Sequence, residues 1–268
     1  MTIGEFLAVS TRKLRAADIL TARLDVLILL CDALQCDKAY LLAHADQELS
    51  GGQLRGLEAN VATRSQHTPL AYIRGHVMFY GRDFIVSPDV LVPRPETETI
   101  IDLVRQQHLP DRPKIADIGT GSGCIGITLA LELPQATVDL YDISAEALKI
   151  AQKNNIQLNA GVQTFTSDLL MKLQGFYDVI AANLPYVPDA YPINEAAKQE
   201  PALALFSGAD GLSHYRSFWK QIDGLESKPS TIITESLPSQ HHTLASIARI
   251  HGYILEKTDD FIQLFIRA

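Results

Sequence analysis

The segment KIADIGTGSGCIGITLALE, residues 114–132, decides the fold of this chain. KIADI predicts the first strand of a sheet, and Gly119, Gly121 and Gly123 stand where that strand turns into a helix. Glycines at such a turn let the backbone approach a ligand closely, at the carboxyl edge where open α/β sheets bind ligands. The segment therefore predicts a ligand-binding loop in an α/β domain.

The pattern after Glu96 is an alternation of strands and helices, which is typical of a parallel sheet built from βαβ units. TVDLYD, QTFTS, YDVIAAN and STIITE predict strands two to five, and Ser144 is a good N-cap for the helix AEALKIAQKNNIQL. The last pair, GYILEK and FIQLFIRA, is separated only by residues 258–260, too few for a crossover helix, so it predicts an antiparallel hairpin at the sheet edge. Five parallel strands and such a hairpin resemble the seven-stranded, Rossmann-like class I methyltransferase fold rather than a dehydrogenase.

The amino-terminal part has helical signals instead. Thr2 and Glu5 have capping-box spacing, and a second helix is predicted from Thr21 to Leu34, with Leu24 on its apolar stripe. A further helix, LRGLEANVATRSQ, follows the dipeptide at 51–52, which we interpret as a helix-breaking link. The sequence thus predicts a small all-α bundle.

These patterns divide the chain into three parts. Residues 1–75 form the predicted helical domain. Residues 76–95 form a β-hairpin linker with Gly81 at its turn, and residues 96–268 form the methyltransferase domain. Within the resemblance described below, the helical domain is expected to recognise the substrate.

Composition limits the function classes. The chain has 268 residues and a net charge of −8, which argues against a broad nucleic-acid footprint. Its three cysteines, Cys31, Cys36 and Cys124, lack the spacing of zinc sites, so no metal is predicted. With no signal-peptide pattern and no apolar run near 20 residues, we expect a soluble cytoplasmic monomer that does not bind membranes.

The charge at the glycine loop favours one class of cofactor. Gly121, Gly123 and Gly126 also match the dinucleotide fingerprint G-x-G-x-x-G, in which a pyrophosphate lies on a helix N-terminus. However, Gly119 and Thr120 precede that match, and the negative charge of Asp117 at the strand end would repel a pyrophosphate. S-adenosylmethionine has no phosphate and carries cationic groups, so it suits this acid better.

Two further strand ends complete the predicted cofactor site. Asp142 stands near the spacing at which an acid accepts hydrogen bonds from ribose hydroxyls. Asp168 could accept from an adenine amino group while Leu169 packs on the ring, although Asp168 could equally be a cap or turn residue. The predicted cofactor-binding residues are Asp117, Gly119, Thr120, Gly121, Ser122, Gly123, Asp142, Asp168, Leu169 and Asn183.

The fourth strand ends in Asn-Leu-Pro-Tyr, residues 183–186, beside the first strand. A nitrogen that receives a methyl group must aim its lone pair at the methyl carbon. The side-chain carbonyl of Asn183 and the backbone carbonyl of Leu184 can enforce this by accepting its N–H bonds. Pro185 fixes the backbone, and Tyr186 offers a flat apolar wall. These four residues are the predicted catalytic and substrate-binding group.

Several motifs together resemble one family. SPDVLVPRPETE, DIGTGSGCIGITLA, SDLL, ANLPYV and EPALALFSGADGL, in this order after a helical domain, resemble the HemK-like glutamine N(5)-methyltransferases. The resemblance implies methyl transfer from S-adenosylmethionine to the glutamine of the Gly-Gly-Gln loop in class I peptide chain release factors. The chain departs from this pattern at Leu184, where the family usually has a second proline, and its terminal hairpin is shorter than usual.

Two alternatives remain open at this stage. Asn-Leu-Pro-Tyr is also similar to the motif of ribosomal RNA adenine dimethylases, which suggests an adenine-N(6) methyltransferase acting on RNA or DNA. The other alternative is a non-catalytic binding module that retains the methyltransferase fold. Label transfer to a release factor or to RNA distinguishes the first two, and binding of S-adenosylmethionine tests the third.

Overall fold

The structure, a computed structural model, describes all 268 residues, Met1 to Ala268. They form two compact units. The first contains Met1–Gly75 and the short segment Asn194–Gln199, and the second contains His76–Ile193 and Glu200–Ala268. The sequence did not predict that Asn194–Gln199 groups with the amino-terminal helices. None of the helices combines the length and the apolar character needed to cross a lipid bilayer.

The first unit is a helical bundle around one apolar core. Its helices are α1 (Ile3–Ala16), α2 (Ala22–Leu34), α3 (Lys38–Ala43), α4 (Gly51–Arg64) and α5 (Leu70–Arg74). The predicted capping box begins α1, because Thr2 Oγ1 accepts from the Glu5 amide and the Glu5 carboxylate accepts from the Thr2 amide. A buried ion pair of 2.7 Å between Arg64 and Asp25 joins α4 to α2.

Two predicted details of this unit are wrong. Helix α4 begins at Gly51, because Ser50 and Gln53 form a capping box that outweighs the poor helix propensity of the two glycines. Leu24 is 43% exposed and does not belong to the buried stripe of α2. That helix contacts α1, α3 and α4, so it buries Val26, Leu29 and Leu30 instead.

The second unit begins with the predicted hairpin. Strands β1 (His76–Phe79) and β2 (Arg82–Ile85) pair antiparallel, and Gly81 at their turn has φ 72°. A single 3₁₀ turn, Pro95–Thr97, then leads into the sheet domain. Its strands are β3 (Lys114–Ile118), β4 (Thr137–Asp142), β5 (Gln163–Thr166), β6 (Val179–Ala182), β7 (Thr231–Glu235), β8 (Tyr253–Asp259) and β9 (Ile262–Arg267). Its helices are α6 (Glu98–Arg105), α7 (Cys124–Glu132), α8 (Ala145–Leu158), α9 (Ala202–Leu205), α10 (Ser213–Ile222) and α11 (His241–Ile250).

The sheet has the predicted topology of the class I methyltransferase fold. Its order is β5-β4-β3-β6-β7-β9-β8, with parallel pairing from β5 to β7 and antiparallel pairing of β9 with β7 and β8. The terminal hairpin lies at the edge, as predicted. Its turn is shorter than expected, because β8 continues to Asp259 and only Asp260 and Phe261 connect the strands.

Apolar layers cover both faces of the sheet. Along β3, Ile115 packs into the layer that contains residues of α6 and α7, whereas Ala116 and Ile118 pack into the layer that contains residues of α10 and α11. Burial on both faces is usual for parallel strands, whose connecting helices cover the sheet. Two of these parallel strands end in a carboxylate, β4 in Asp142 and β7 in Glu235.

Candidate active site

A cavity opens at the carboxyl edge of β3, β4 and β6. Ten predicted site residues line it, namely Gly119, Thr120, Gly121, Ser122, Asp142, Asp168, Leu169, Asn183, Leu184 and Pro185. Three others, Asp117, Gly123 and Tyr186, are not among its lining residues. The topology brings residues from four separate strand ends to one cavity, as expected for an α/β sheet.

The glycine loop forms one wall. Gly119 has φ 71°, and a Cβ at this position would lie 3.1 Å from the Leu184 side chain, so the first glycine allows β3 and β6 to end in close contact. Gly121 has φ 55°, and a Cβ there would meet no atom within 4 Å. The loop therefore presents an open backbone surface at Gly121, which lines the cavity.

Asp117 lies behind this loop rather than on the cavity wall. Its Oδ2 accepts from Thr120 Oγ1 at 2.6 Å and from the Gly126 amide at 2.9 Å. Its Oδ1 is buried and has no hydrogen-bond partner. Burial raises the pKa of Asp117 to about 6, against the opposing effect of those two hydrogen bonds. Asp117 thus holds the loop in shape, and its contact with a cofactor stays a prediction.

Asp142 holds the loop from the other side and also lines the cavity. Its Oδ2 accepts from the Gly121 amide at 2.8 Å, and its Oδ1 accepts from the Ser144 amide at 2.8 Å. Burial raises the pKa of this carboxyl, and backbone hydrogen bonds partly offset the effect. Each carboxylate oxygen can accept a second hydrogen bond, so Asp142 can still bind ligand hydroxyls.

The turn after β5 contributes Asp168 and Leu169. Leu169 has φ 51°, the left-handed region that is unfavourable for a leucine. Its carbonyl accepts from Ser167 Oγ at 2.9 Å, which stabilises this turn. Backbone strain of this kind persists where the surroundings enforce it and is common in ligand sites. The turn brings a carboxylate and an apolar side chain to the cavity together.

Asn183 is oriented by a buried network that the sequence analysis missed. Thr97 Oγ1 donates to Glu235 Oε2 at 2.7 Å. The same Thr97 oxygen can therefore accept a hydrogen bond from Asn183 Nδ2, which lies 3.5 Å away. The nearby Asn183 side chain also favours the ionised form of Glu235 and so opposes the rise in its pKa. Since the NH₂ group of Asn183 is used by this network, its Oδ1 remains as an acceptor in the cavity.

Tyr186 belongs to the same network. Its hydroxyl donates to Glu235 Oε1 at 2.9 Å, and it does not form the flat cavity wall that was predicted. Glu235 is fully buried, and burial raises its pKa, while the hydrogen bonds from Thr97 and Tyr186 and the nearby Asn183 side chain oppose that rise. A charged residue at the end of the predicted strand STIITE was the signal available in the sequence, equivalent to Asp142 at the end of its own strand.

Tyr215 fixes the backbone around the motif. Its hydroxyl lies 2.9 Å from the Ala182 carbonyl and 2.6 Å from the Glu235 carbonyl, and it accepts from the Leu184 amide at 3.4 Å. The Leu184 side chain is only 2% exposed and packs into the core on one face of the sheet. Leucine at position 184 thus supplies an amide donor that a proline would lack.

Two further segments, residues 89–94 and 201–204, contribute to the wall. Arg94 lines the cavity from the first and Leu203, on α9, from the second, and the two segments are joined by Glu200, which accepts from the Val92 amide at 3.0 Å and pairs with Arg94. The carboxylates that line the cavity, Asp89, Asp142 and Asp168, outnumber the single guanidinium, which is already paired. This excess of negative charge suits a cationic ligand and disfavours a phosphate.

Known families match both parts of the chain. The family profile described as PrmC N-terminal domain matches residues 5–75, and the profile described as Methyltransferase small domain matches residues 97–200. A release factor glutamine methyltransferase of Koribacter versatilis is 40% identical over 228 residues, covering 83% of this chain and 81% of the relative. Another, from Moorella thermoacetica, is 35% identical over 258 residues, covering 94% and 91%.

Solved structures share the fold at low sequence identity. A methyltransferase from Pyrococcus furiosus gives a TM-score of 0.51 at 17% identity, covering 81% of this chain and 98% of that one. The 16S rRNA N2 G1207 methyltransferase of T. thermophilus gives a TM-score of 0.51 at 14% identity, covering 72% and 49%. These similarities support the fold alone.

Proposed function

The chain belongs to the release factor glutamine methyltransferases, and on that premise we propose that it methylates the glutamine of the Gly-Gly-Gln motif in class I peptide chain release factors. The methyl group goes from S-adenosylmethionine to the side-chain amide nitrogen of this glutamine. The observation that carries the assignment of residues is the orientation of Asn183, whose NH₂ group faces the Thr97 hydroxyl at 3.5 Å and whose Oδ1 is left to accept.

S-adenosylmethionine fits the residues of the cavity. When bound it supplies a methyl group on a positively charged sulfur. The carboxylates on the cavity wall form no ion pair, so their negative charge favours such a cation. The open backbone at Gly121 leaves room for a ligand close to the loop. We assign the ribose hydroxyls to Asp142 and the adenine to Asp168 and Leu169, since these residues combine acceptors with an apolar surface.

The chain's own residues then orient the acceptor. Asn183 Oδ1 and the Leu184 carbonyl accept the two N–H bonds of the glutamine amide, so that its nitrogen faces the methyl group. Pro185 keeps this part of the backbone stiff. Orientation of this kind can contribute up to about 7–11 kcal/mol to lowering a barrier. Glu235, Thr97 and Tyr186 act through Asn183 and are positioning residues in this proposal.

The nitrogen must also lose a proton. The Asn-Leu-Pro-Tyr motif contains no strong base, and an amide nitrogen is a weak nucleophile because its lone pair is delocalised. Its N–H becomes acidic only as the new bond to the methyl carbon forms, so water can accept the proton late in the reaction. The transfer leaves a methylated amide, S-adenosylhomocysteine and one proton.

The partner and setting follow from the same assignment. The helical residues 1–75 recognise the protein substrate, and residues 96–268 carry out the transfer. The enzyme works as a monomer in the cytoplasm, where translation terminates. The net charge of −8 supports a protein substrate rather than stable binding of nucleic acid.

The test is transfer of labelled methyl to a purified release factor, followed by mass spectrometry of the Gly-Gly-Gln peptide. The matched control is the same release factor with glutamine replaced by asparagine, which keeps an amide but shortens the side chain by one methylene. We expect label on the glutamine and none on the control. Label elsewhere in the release factor, or none at all, would refute the proposal.

A further inference from the structure

A buried asparagine behind the cavity joins two of its walls. Asn154 on α8 is fully buried and is not among the cavity's lining residues. Its Nδ2 donates to the Ser122 carbonyl at 2.8 Å and to the Ile85 carbonyl at 2.9 Å, and its Oδ1 accepts from the Ile85 amide at 2.7 Å. Every hydrogen-bonding group of this side chain except one oxygen lone pair is therefore used on backbone.

The two positions that Asn154 holds lead directly to the cavity. Ser122 is part of the glycine loop and lines the cavity itself. Ile85 ends β2, and the chain continues from it into the segment that supplies Asp89 and Arg94 to the cavity wall. The loop is held elsewhere by Asp117 and Asp142, but neither of these carboxylates bonds to residues 85–94.

We propose that Asn154 is a positioning residue that sets the spacing between the glycine loop and the segment 86–94, and so determines the affinity for S-adenosylmethionine. This inference rests on the proposed cofactor. Only a side-chain amide can donate to two carbonyls and accept from an N–H in this arrangement. An aspartate would turn a carboxylate oxygen toward the carbonyls of Ile85 and Ser122, and both would lose their donor.

The same helix supplies a matched control. Asn155 makes an equivalent pair of bonds, with Nδ2 donating to the Val162 carbonyl at 3.0 Å and Oδ1 accepting from the Val162 amide at 3.1 Å. These bonds close the turn after α8 and involve no residue of the cavity wall. Substitutions at 154 and 155 thus remove similar bonds, but only the former are predicted to disturb the cavity.

The experiment is calorimetric titration of the full chain with S-adenosylmethionine, for wild type, Asn154→Asp, Asn154→Ser and Asn155→Asp. We expect the two Asn154 variants to bind about 10-fold more weakly, which is about 1.4 kcal/mol, and Asn155→Asp to remain within about twofold of wild type. Serine is included because it leaves room for a bridging water if the aspartate variant does not fold.

Hydrogen exchange of the ligand-free protein gives an independent measurement. In Asn154→Ser we expect faster exchange in residues 86–94 and 119–123 together, with no such change in Asn155→Asp. The inference would be overturned if Asn154→Ser bound S-adenosylmethionine with wild-type affinity, or if Asn154→Ser and Asn155→Asp weakened binding equally. Unchanged hydrogen exchange in Asn154→Ser would also overturn it. If the wild type itself does not bind S-adenosylmethionine, the proposed function fails. In that case the exchange data alone decide whether Asn154 connects the glycine loop to residues 86–94.

Discussion

The Glu235→Gln substitution changes the orientation of Asn183 with very little change in shape. In the native protein, Glu235 accepts from Thr97 and Tyr186, and the Asn183 amide, which donates to Thr97, favours the ionised form of Glu235. A glutamine replaces one acceptor oxygen of Glu235 by an NH₂ group. That NH₂ group then faces a side chain that itself donates a hydrogen bond in the native protein. Rotation of the Asn183 amide would remove this mismatch between donors. The same rotation turns the NH₂ group of Asn183 toward the glutamine substrate, where an acceptor is required.

The size of the effect follows from one hydrogen bond. A hydrogen bond to a charged group contributes about 1.5–3 kcal/mol, and each 1.4 kcal/mol is a factor of ten in rate. We therefore expect kcat to fall about 10- to 100-fold. The KM for S-adenosylmethionine should change less than about twofold, because Glu235 does not line the cavity. Stability should change little, since removing a fully buried charge offsets the lost hydrogen bond.

The assay is steady-state methyl transfer to a release factor, with the cofactor and the release factor each varied at a saturating concentration of the other. Glu226→Gln, which removes an exposed carboxylate, controls for the change in net charge. A kcat within about twofold of wild type would refute the positioning role of Glu235. A rise in the KM for S-adenosylmethionine with unchanged kcat would show that Glu235 instead shapes the cofactor pocket.

Three further substitutions test other parts of the site. Asn183→Ala should lower kcat at least about 100-fold and weaken cofactor binding much less; equal losses in kinetics and calorimetry would contradict its catalytic role. Leu184→Pro keeps the carbonyl that the proposal requires but removes the amide that donates to Tyr215 and the buried leucine side chain, so stability should fall while kcat falls less than in Asn183→Ala; a switch of label to RNA in the same assay would contradict this. Burial raises the pKa of Asp117 from 3.8 to about 6, so the folded state binds the proton more tightly and native stability falls as pH rises through that window. Asp117→Asn should remove about 3 kcal/mol of this pH dependence in urea unfolding, and an unchanged slope would contradict it.

Local patterns in the sequence were sufficient for the fold and for the strand-end residues. Alternating strands and helices predicted the sheet, and polar residues at strand ends predicted Asp142, Asn183 and the turn at Asp168, all of which line one cavity. The fold is confirmed, and these residues meet because parallel strands end at the same edge; their roles in binding stay predictions.

The contacts that depend on long-range packing could not be predicted. Thr97 and Glu235 meet across 138 positions of sequence, and Asn154 reaches Ile85 across 69. Periodicity does not predict such pairs, because it carries no information about which distant residues will meet. The burial of Asp117 behind the loop could not be predicted either, because it depends on how α7 packs against β3.

The most direct test of the account offers the enzyme a release factor and ribosomal RNA together with labelled S-adenosylmethionine, and locates the label in each. The account predicts label on the side-chain nitrogen of the Gly-Gly-Gln glutamine and none on RNA. Label on adenine in the RNA, with the release factor unmodified, would contradict it.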